Sequence, residues 1–557
     1  MYLSHSSQQG MSLVTVMLLS SLAGILVLGS LRDNIIQERL SGNFQKKMNA
    51  QLVAERGIFE THAALLALLQ DNPDATLEEL MAAVGGEDLA KFGNGGLSDM
   101  RYSVDLSKDS SGQLLLASRG KRFEGSSALK ARFELTSGGG SSPFANAIVG
   151  CEGVDLSGSG KIDSFNSNNG GSYDPNAPGQ NANVTTIEPD SDITLGGHSP
   201  IYGDVAATGN IELNGSSPVE GNLHANGDIT LSYSGVDYRV TGNIFTRGNY
   251  LHKGGSVGGY VRANGNAEMK WTTFISNLNN SEADILYGGT GIFPDGTNHK
   301  DQAGNYYGDA QFKVMPDVAK VPENDGSSSD LTDPSTNCDP LSIAPQISAI
   351  DDGSSTLHSF SAGAGATYKF TPNAGQGSVA QMAPVNAEVL GFIYPVYKLS
   401  QFSMSSNANV SIAGGDVFLY VAGNFALSGA TTMTIKADSS LTLLIEGRVS
   451  LGAGSNIVTE KPGLTSESKR PSLSIYSSNT DDEGVSIYGN SEIYAAVYAP
   501  FTAVSVAGSG ELYGAVRAKK LSVTGGAAIH FDHALANVDP SGGLIGEKKL
   551  RLVGWEY

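Results

Sequence analysis

Cysteine is nearly absent: Cys151 and Cys338 are the two in 557 residues. So few exclude a disulfide framework, and their separation excludes zinc-ligand spacing. In an oxidising compartment the two either bond to each other or remain separate thiols; spacing alone decides neither. Charge is sparse, at 16% of residues, and acidic in balance, with a formal net charge of −21. An acidic surface without a basic stripe repels phosphate backbones, which excludes nucleic acid as a partner. No charged residue occurs from Met11 to Leu31, and no proline from Met11 to Asp71. The first absence marks a segment that crosses a membrane, and the second lets one helix continue unbroken.

Residues 11–31 would make a helix of about 32 Å, close to the roughly 30 Å hydrocarbon core. A cleaved secretory signal has a shorter apolar run, about 7–15 residues, followed by a fresh start. Here the helical pattern carries on. Leu31, Ile35, Ile36, Leu40 and Phe44 keep an apolar face, and Arg32, Asp33, Glu38, Arg39, Lys46 and Lys47 fill the rest. Ala50, Val53, Ala54, Ile58, Ala63 and Leu65–Leu69 extend it to Pro73.

These residues carry a resemblance. Ser7-Gln8-Gln9-Gly10 before an uncharged helix resembles the start of a type IV prepilin. Glu38-Arg39-Leu40-Ser41-Gly42-Asn43, then Ala50 and Ala54-Glu55-Arg56-Gly57, is similar to the N-terminal region of PilX-type minor pilins. The resemblance implies leader cleavage after Gly10, with Met11 as the new N-terminus. It also implies other pilin subunits as partners through the helix, and the inner membrane before assembly. Two features depart from the pattern: the leader has no Lys or Arg, and Thr15 stands where major pilins carry Glu. A subunit without that Glu suits a tip or sparse position better than a repeating fibre position.

Beyond the helix, residues 101–106, 113–120 and 128–135 read as strands, the last alternating Leu129, Ala131, Phe133 and Leu135 with charged residues. Such a small sheet covers the apolar face of the helix C-terminal half. The stretch at 137–143 (SGGGSSP) is a linker.

Glycine, by contrast, is abundant: 70 residues. It recurs in pairs six apart at Gly203/Gly209, Gly221/Gly227, Gly242/Gly248 and Gly259/Gly265, with first members 18, 21 and 17 residues apart. Short alternating segments lie between them. A period near 18 with strand alternation predicts a β-solenoid, one coil per period. Gly and Asn are expected at the corners because positive φ costs them least. Val205, Ile211, Leu213, Leu223, Ile229 and Leu231 are expected to stack inside. The pattern returns at 417–451 and at 493–518. Ala147-Ile148-Val149-Gly150-Cys151, Gly160-Lys161-Ile162-Asp163-Ser164, Tyr498-Ala499-Pro500 and His530–Leu535 resemble an uncharacterised solenoid domain joined to PilX-like N-termini. The domain is also similar to bactofilin-type polymer-forming solenoids.

The predicted fold is mainly β: a long N-terminal helix, a small α+β pilin-like unit, then a large β-solenoid. The predicted organisation is a leader (1–10), the membrane-spanning and amphipathic helix (11–70), a small α+β domain (71–136) and a linker (137–143). A first run of solenoid coils (144–270) follows, then an irregular insertion (271–390), a second run of coils (391–535) and a C-terminal cap (536–557).

Catalytic motifs fail on their mechanics. Gly254–Gly258 matches G-x-S-x-G but lies between coils, without the strand-to-helix turn that string requires. Gly158-Ser159-Gly160-Lys161 lacks the first Gly and the Ser or Thr of a phosphate loop. His530 and His533, at i and i+3 on a strand, point to opposite faces and read as surface or capping residues. Asp351-Asp352 and Asp481–Glu483 lack EF-hand spacing. Tyr488, Tyr494, Tyr498 and Tyr513 either stack on one face to bind glycan or fill the core. The expectation is therefore a structural, non-enzymatic subunit of a type IV pilus or related filament, with no cofactor or metal. It would be single-pass in the inner membrane with the soluble part periplasmic, or extracellular on the pilus. The alternatives are a surface adhesin that binds glycan and, less favoured, a polysaccharide-acting β-helix enzyme. The enzyme would need charged residues clustered at one phase of adjacent coils.

Overall fold

In the computed structural model one helix, α1 (Gln9–Asp71), takes in the whole apolar and amphipathic run. At 1.5 Å per residue it is about 95 Å long. The structure describes the chain except residues 1–8, 72–75, 85–99, 110–112, 138–141, 170–171, 233–238, 271–272, 276–283, 302–305, 308–309, 316–319, 322–337, 352, 354–355, 375–381, 490–491, 542–547 and 557. The chain divides into two units, residues 1–139 with 546–557, and residues 140–545.

In the first unit, Val53, Ala54, Ile58, Leu65 and Leu69 of α1 pack on an antiparallel sheet. Its strands are β1 (Met100–Lys108), β2 (Leu114–Arg122) and β3 (Gly125–Ser137). Tyr102, Val104, Leu114, Leu116, Leu129, Ala131 and Phe133 supply the facing core. A Cβ on Gly120 would lie 2.2 Å from the Ala50 carbonyl oxygen and 2.3 Å from the Ala54 nitrogen. Glycine there lets helix and sheet touch backbone to backbone. A short helix, α2 (Leu77–Val84), begins in a capping box: Thr76 N–H donates to Glu79 Oε2 at 2.8 Å, and Glu79 N–H to Thr76 Oγ1 at 3.3 Å. The sheet has a fourth strand, Lys548–Glu556, antiparallel to β3. This segment is not the cap on the last solenoid coil that the sequence suggests. It pairs instead with the free edge of β3, which an open sheet leaves available.

The second unit is the β-solenoid. Successive coils pair in parallel: Ile193 with Ile211 and Ile211 with Ile229, Leu195 with Leu213 and Leu213 with Leu231, Val205 with Leu223 and Leu223 with Ile244. The six residues expected inside are all fully buried.

The corners are built differently from the expectation. Neither the paired glycines from Gly203 to Gly265 nor the Asn or Asp after them has a positive φ. The glycines are needed because coils stack too closely for a side chain. A Cβ on Gly221 would sit 2.4 Å from the Gly203 carbonyl oxygen, and one on Gly242 2.5 Å from that of Gly221. The following residues form side-chain ladders. Asp192 Oδ1 accepts from Asn210 N–H, Asn210 Oδ1 from Asp228 N–H, Asp228 Oδ1 from Asn249 N–H, and Asn249 Oδ1 from Asn266 N–H, at 2.7–2.9 Å. A second ladder runs from Asn183 through Asp204 and Asn222 to Asn243. Each rung satisfies a corner amide that the strand ladder leaves over.

The winding order also departs from a simple end-to-end stack. The first coil, Ile148–Phe165, does not lie at an end. Val516 pairs with Ile148, Leu521 with Val154 and Ile529 with Ile162 on one side, while Val184 and Ile193 pair with Ile148 and Val154 on the other. One apolar column therefore crosses both halves: Tyr397, Leu419, Leu443, Ile475, Val497, Val516, Ile148, Val184, Val205, Leu223, Ile244, Val261, Ile285, Phe312. At about 4.8 Å per step it is roughly 60 Å long. The chain joins the stack at its middle, winds out to one end at Val314, crosses to the opposite end at His358, and winds back to the middle.

The irregular segment is accordingly shorter than 271–390. Thr273–Ile275, Ile285–Tyr287 and Ala310–Val314 still pair as coil strands, and His358–Ala362 and Thr367–Phe370 already belong to the second half. The period is longer there: Val261 pairs with Ile285, 24 residues on. The last coil needs no cap, because the first coil covers its edge.

Candidate functional site

Three arrangements carry chemistry or contact. The first is the start of α1. Leu13, Val16, Met17, Leu19, Ile25, Leu26 and Leu28 are exposed over a stretch with mean hydropathy 2.2, long and apolar enough to cross a membrane. Gly10 and Met11 fall at the beginning of α1, and the rest of the predicted leader up to Gln8 lies outside the described residues.

The second is the middle of the stack. Cys151, just after the first strand of the first coil, is bonded to Cys338, 187 positions along the chain, with Cα atoms 5.7 Å apart. Cys338 belongs to the connection between the two winding halves, the strap, of which residues 315, 320–321, 338–351, 353 and 356–357 are described. Along the way Val321 N–H donates to Asn264 Oδ1 at 2.8 Å, and Tyr498 OH donates to Asp339 Oδ1 at 2.6 Å. Arg517, fully buried, donates from Nε to the Cys338 carbonyl at 3.0 Å and from a terminal nitrogen to the Pro143 carbonyl at 3.5 Å. Ser142 Oγ donates to the Leu535 carbonyl at 2.8 Å. The segments entering and leaving the solenoid and the midpoint of the strap thus share one buried knot.

The third arrangement lies on another face of the same coils. Tyr494 is in register with Tyr513, Tyr513 with His530, and His530 with Asp163; Glu492 is in register with Glu511. This is a one-phase cluster of the kind that the sequence alone does not reveal. Its members come from widely separated stretches of the chain, and Asp163 meets His530 only because the first coil sits on the last. His530 is not a surface residue: it is 3% exposed, and Nδ1 lies 2.5 Å from Asp163 Oδ1, itself 0% exposed. Tyr173 OH donates to Asp163 Oδ2 at 2.8 Å. Asp532 accepts from Tyr494 OH at 2.7 Å, Ser167 Oγ at 2.6 Å and Ala534 N–H at 3.0 Å. Burial, and then the adjoining carboxylate, raises the hydroxyl pKa of Tyr173 and of Tyr494 above the phenol range. These tyrosines are therefore neutral donors at any physiological pH, and the aspartates they meet are occupied in holding them.

A cleft of about 720 Å³ opens beside this cluster. It forms where an outer four-stranded sheet stops at its last strand, Asn456–Thr459. Ile457, Val458 and Lys461 line it from that strand and the loop beyond; Phe165, Tyr173, Glu492, Tyr494 and Tyr513 line it from the coils. The rings of Phe165, Tyr173 and Tyr513 meet edge to face at 5.5–6.2 Å.

With this geometry in place, comparison with known proteins adds little. A family model described as "Domain of unknown function (DUF7305)" matches residues 395–538, the second winding half. No curated protein matches. Among solved structures, the competence-associated pilin ComZ from Thermus thermophilus is similar at 15% identity and a TM-score of 0.20, covering 92% of this chain and 97% of that one.

The remaining motifs resolve individually. Gly254–Gly258 runs on from the strand Tyr250–Val257, with Ser256 paired to Arg239 and Phe274, so there is no nucleophile elbow. Asp481 pairs with Arg448 Nε at 2.8 Å. Asp352 lies outside the described residues. The four tyrosines do not share a face: Tyr494 and Tyr513 line the cleft, Tyr498 binds the strap, and Tyr488 is exposed and bonded to Glu483. No group of three or more His, Cys, Asp or Glu among the described residues is placed to hold a metal ion.

Proposed function

We propose that this chain is a membrane-anchored, pilin-like subunit that displays a β-solenoid outside the cytoplasm. Its role is assembly and presentation rather than catalysis. The observation that carries this is α1. Its first half is apolar and exposed, while its C-terminal half is clasped by a small antiparallel sheet. Such a helix has two uses in sequence: a membrane span before assembly, and a packing surface for like helices afterwards. The PilX-like residues around Glu38–Asn43 point the same way. Thr15 in place of Glu, and a soluble region far larger than the small sheet unit, favour the tip or a sparse position over the fibre wall.

N-terminal sequencing of the mature protein from membranes tests the anchor. Processing after Gly10, giving a chain that starts at Met11 and stays in the membrane fraction, is expected. A mature start near residue 30 overturns the proposal, because the apolar helix would then be lost.

A second reading is an adhesin on the same anchor. The cleft beside Tyr494 favours it, since a subunit of purely mechanical function has no use for a ring-lined recess.

A further inference from the structure

We propose that the cleft beside Tyr494 and Tyr513 is a binding site for a neutral or amino-bearing oligosaccharide. This deepens the adhesin reading and rests on it for access to external glycans. Its volume of about 720 Å³ falls within the roughly 300–1,000 Å³ typical of small-molecule sites.

The rings are the first argument. Phe165, Tyr173 and Tyr513 are half-buried, so each keeps some of its surface open. They are held still from behind: Tyr173 OH by Asp163 and Tyr513 OH by Glu511, with His530 packed against both tyrosine rings at 4.0 and 4.8 Å. A rigid aromatic platform loses little conformational freedom when a ligand settles on it. The negative face of an aromatic ring suits the weakly positive C–H face of a pyranose, or an ammonium group.

The charges are the second argument. Glu460 pairs with Lys436 at 2.5 Å, and Lys461 lies 3.3 Å from Asp438, so both are neutralised locally. Glu492 is exposed, and among the described residues it accepts no hydrogen bond and forms no ion pair. The carboxylate free to meet a ligand is therefore an acceptor. It bonds hydroxyl or ammonium donors and repels uronates, phosphates and sulfates. Asn456 adds a neutral polar group on the opposite wall.

The test uses the full chain in lipid nanodiscs, since a glycosidic detergent would compete. Isothermal titration is run with cellotetraose, chitotetraose, its de-acetylated amino tetramer, and tetragalacturonate. At least one of the first three is expected to bind, and tetragalacturonate is not. Tyr513→Ala should weaken binding about tenfold or more, equivalent to the loss of one good stacking contact. Glu492→Gln should weaken the amino tetramer more than the neutral ones. Tyr513→Phe, which keeps the ring, should retain binding. If Tyr513→Ala lowers the melting temperature, Tyr173→Ala and Glu492→Gln decide in its place. No binding by any of the first three overturns the proposal. So does unchanged affinity in the alanine variants, or a preference for tetragalacturonate. A wrong mature N-terminus with sugar binding intact would sink the anchor alone and leave the site standing.

Discussion

At the scale of single residues, buried polar side chains decide the sensitive points. His252 is fully buried; Nε2 lies 3.2 Å from the Gly255 carbonyl, and Nδ1 has no hydrogen-bond partner among the described residues. Burial holds its pKa down at about 4, against an ordinary value of about 6.5. The unfolded chain therefore binds one more proton than the folded one between those values. Stability present above pH 6.5 is lost as pH falls towards 4, by on the order of 3 kcal/mol for this group. Replacing His252 with Gln should flatten that region of a stability-against-pH curve measured by denaturant unfolding; an unchanged slope would assign the acid sensitivity elsewhere. Arg470 is a second such point. It donates to Tyr394 OH at 2.7 Å and the Ser541 carbonyl at 2.6 Å, stacks over Tyr394 and Phe418, and lies 3.5 Å from Asp416. Arg470→Ala should cost about 3 kcal/mol in the same assay, because it removes a buried side chain and leaves the half-buried Tyr394, Asp416 and Ser541 without their shared partner. Lys should not rescue it, lacking the planar fork. Neither residue is conspicuous in the sequence: one His and one Arg become critical only through what folds over them.

At the scale of the coil, the corner is where the sequence carried the right signal for a different reason. The glycine pairs gave the period, and the period gave the solenoid. Their cause is the spacing between coils rather than backbone handedness, and that requires knowing what lies one coil away. A Cβ at Gly227 would fall 2.8 Å from the Gly209 carbonyl carbon, whereas at Gly363 the nearest atom would be 3.4 Å away. Gly227→Ala should therefore lower stability by about 1–3 kcal/mol, and Gly363→Ala by a few tenths at most, in thermal melts of the two variants. Equal effects would show that the corner is not close-packed. Leu231→Asp should do more: the charge would stand inside the column between Leu213 and His252, and loss of amide protection in hydrogen exchange should spread to both neighbouring coils. The cleft was less legible. Tyr494 and Tyr513 lie in the stretch at 493–518 where the repeat pattern returns, but Asp163, Phe165 and Tyr173 come from more than 300 residues earlier. Only the winding order brings them together. The strands past residue 271 do not show in the sequence because the interval lengthens, to 24 residues from Val261 to Ile285 and 27 from Ile285 to Phe312, and hides the phase.

At the scale of the whole molecule, the disulfide ties the first coil, through Cys151, to Cys338, 187 positions along the chain. Closing a loop of 187 residues removes about 5 kcal/mol of unfolded-chain entropy in the chain-entropy model. Replacing both Cys151 and Cys338 with Ala should lower the melting temperature, and thiol labelling of the wild type under denaturing, non-reducing conditions should modify neither. Two labelled thiols would remove the staple from the account. The position of the first coil has a further consequence, for the time at which this protein can finish folding. A chain exported from its N-terminus delivers residues 148–165 early, yet one edge of that coil is covered only by residues 516–532. Until those arrive, an unpaired strand edge stands open in the centre of the growing stack, able to add any passing strand. Closure then requires contacts between residues more than 350 positions apart, a slow step by topology alone. A chain stopped before residue 511 would leave open not a frayed tip but its own midpoint.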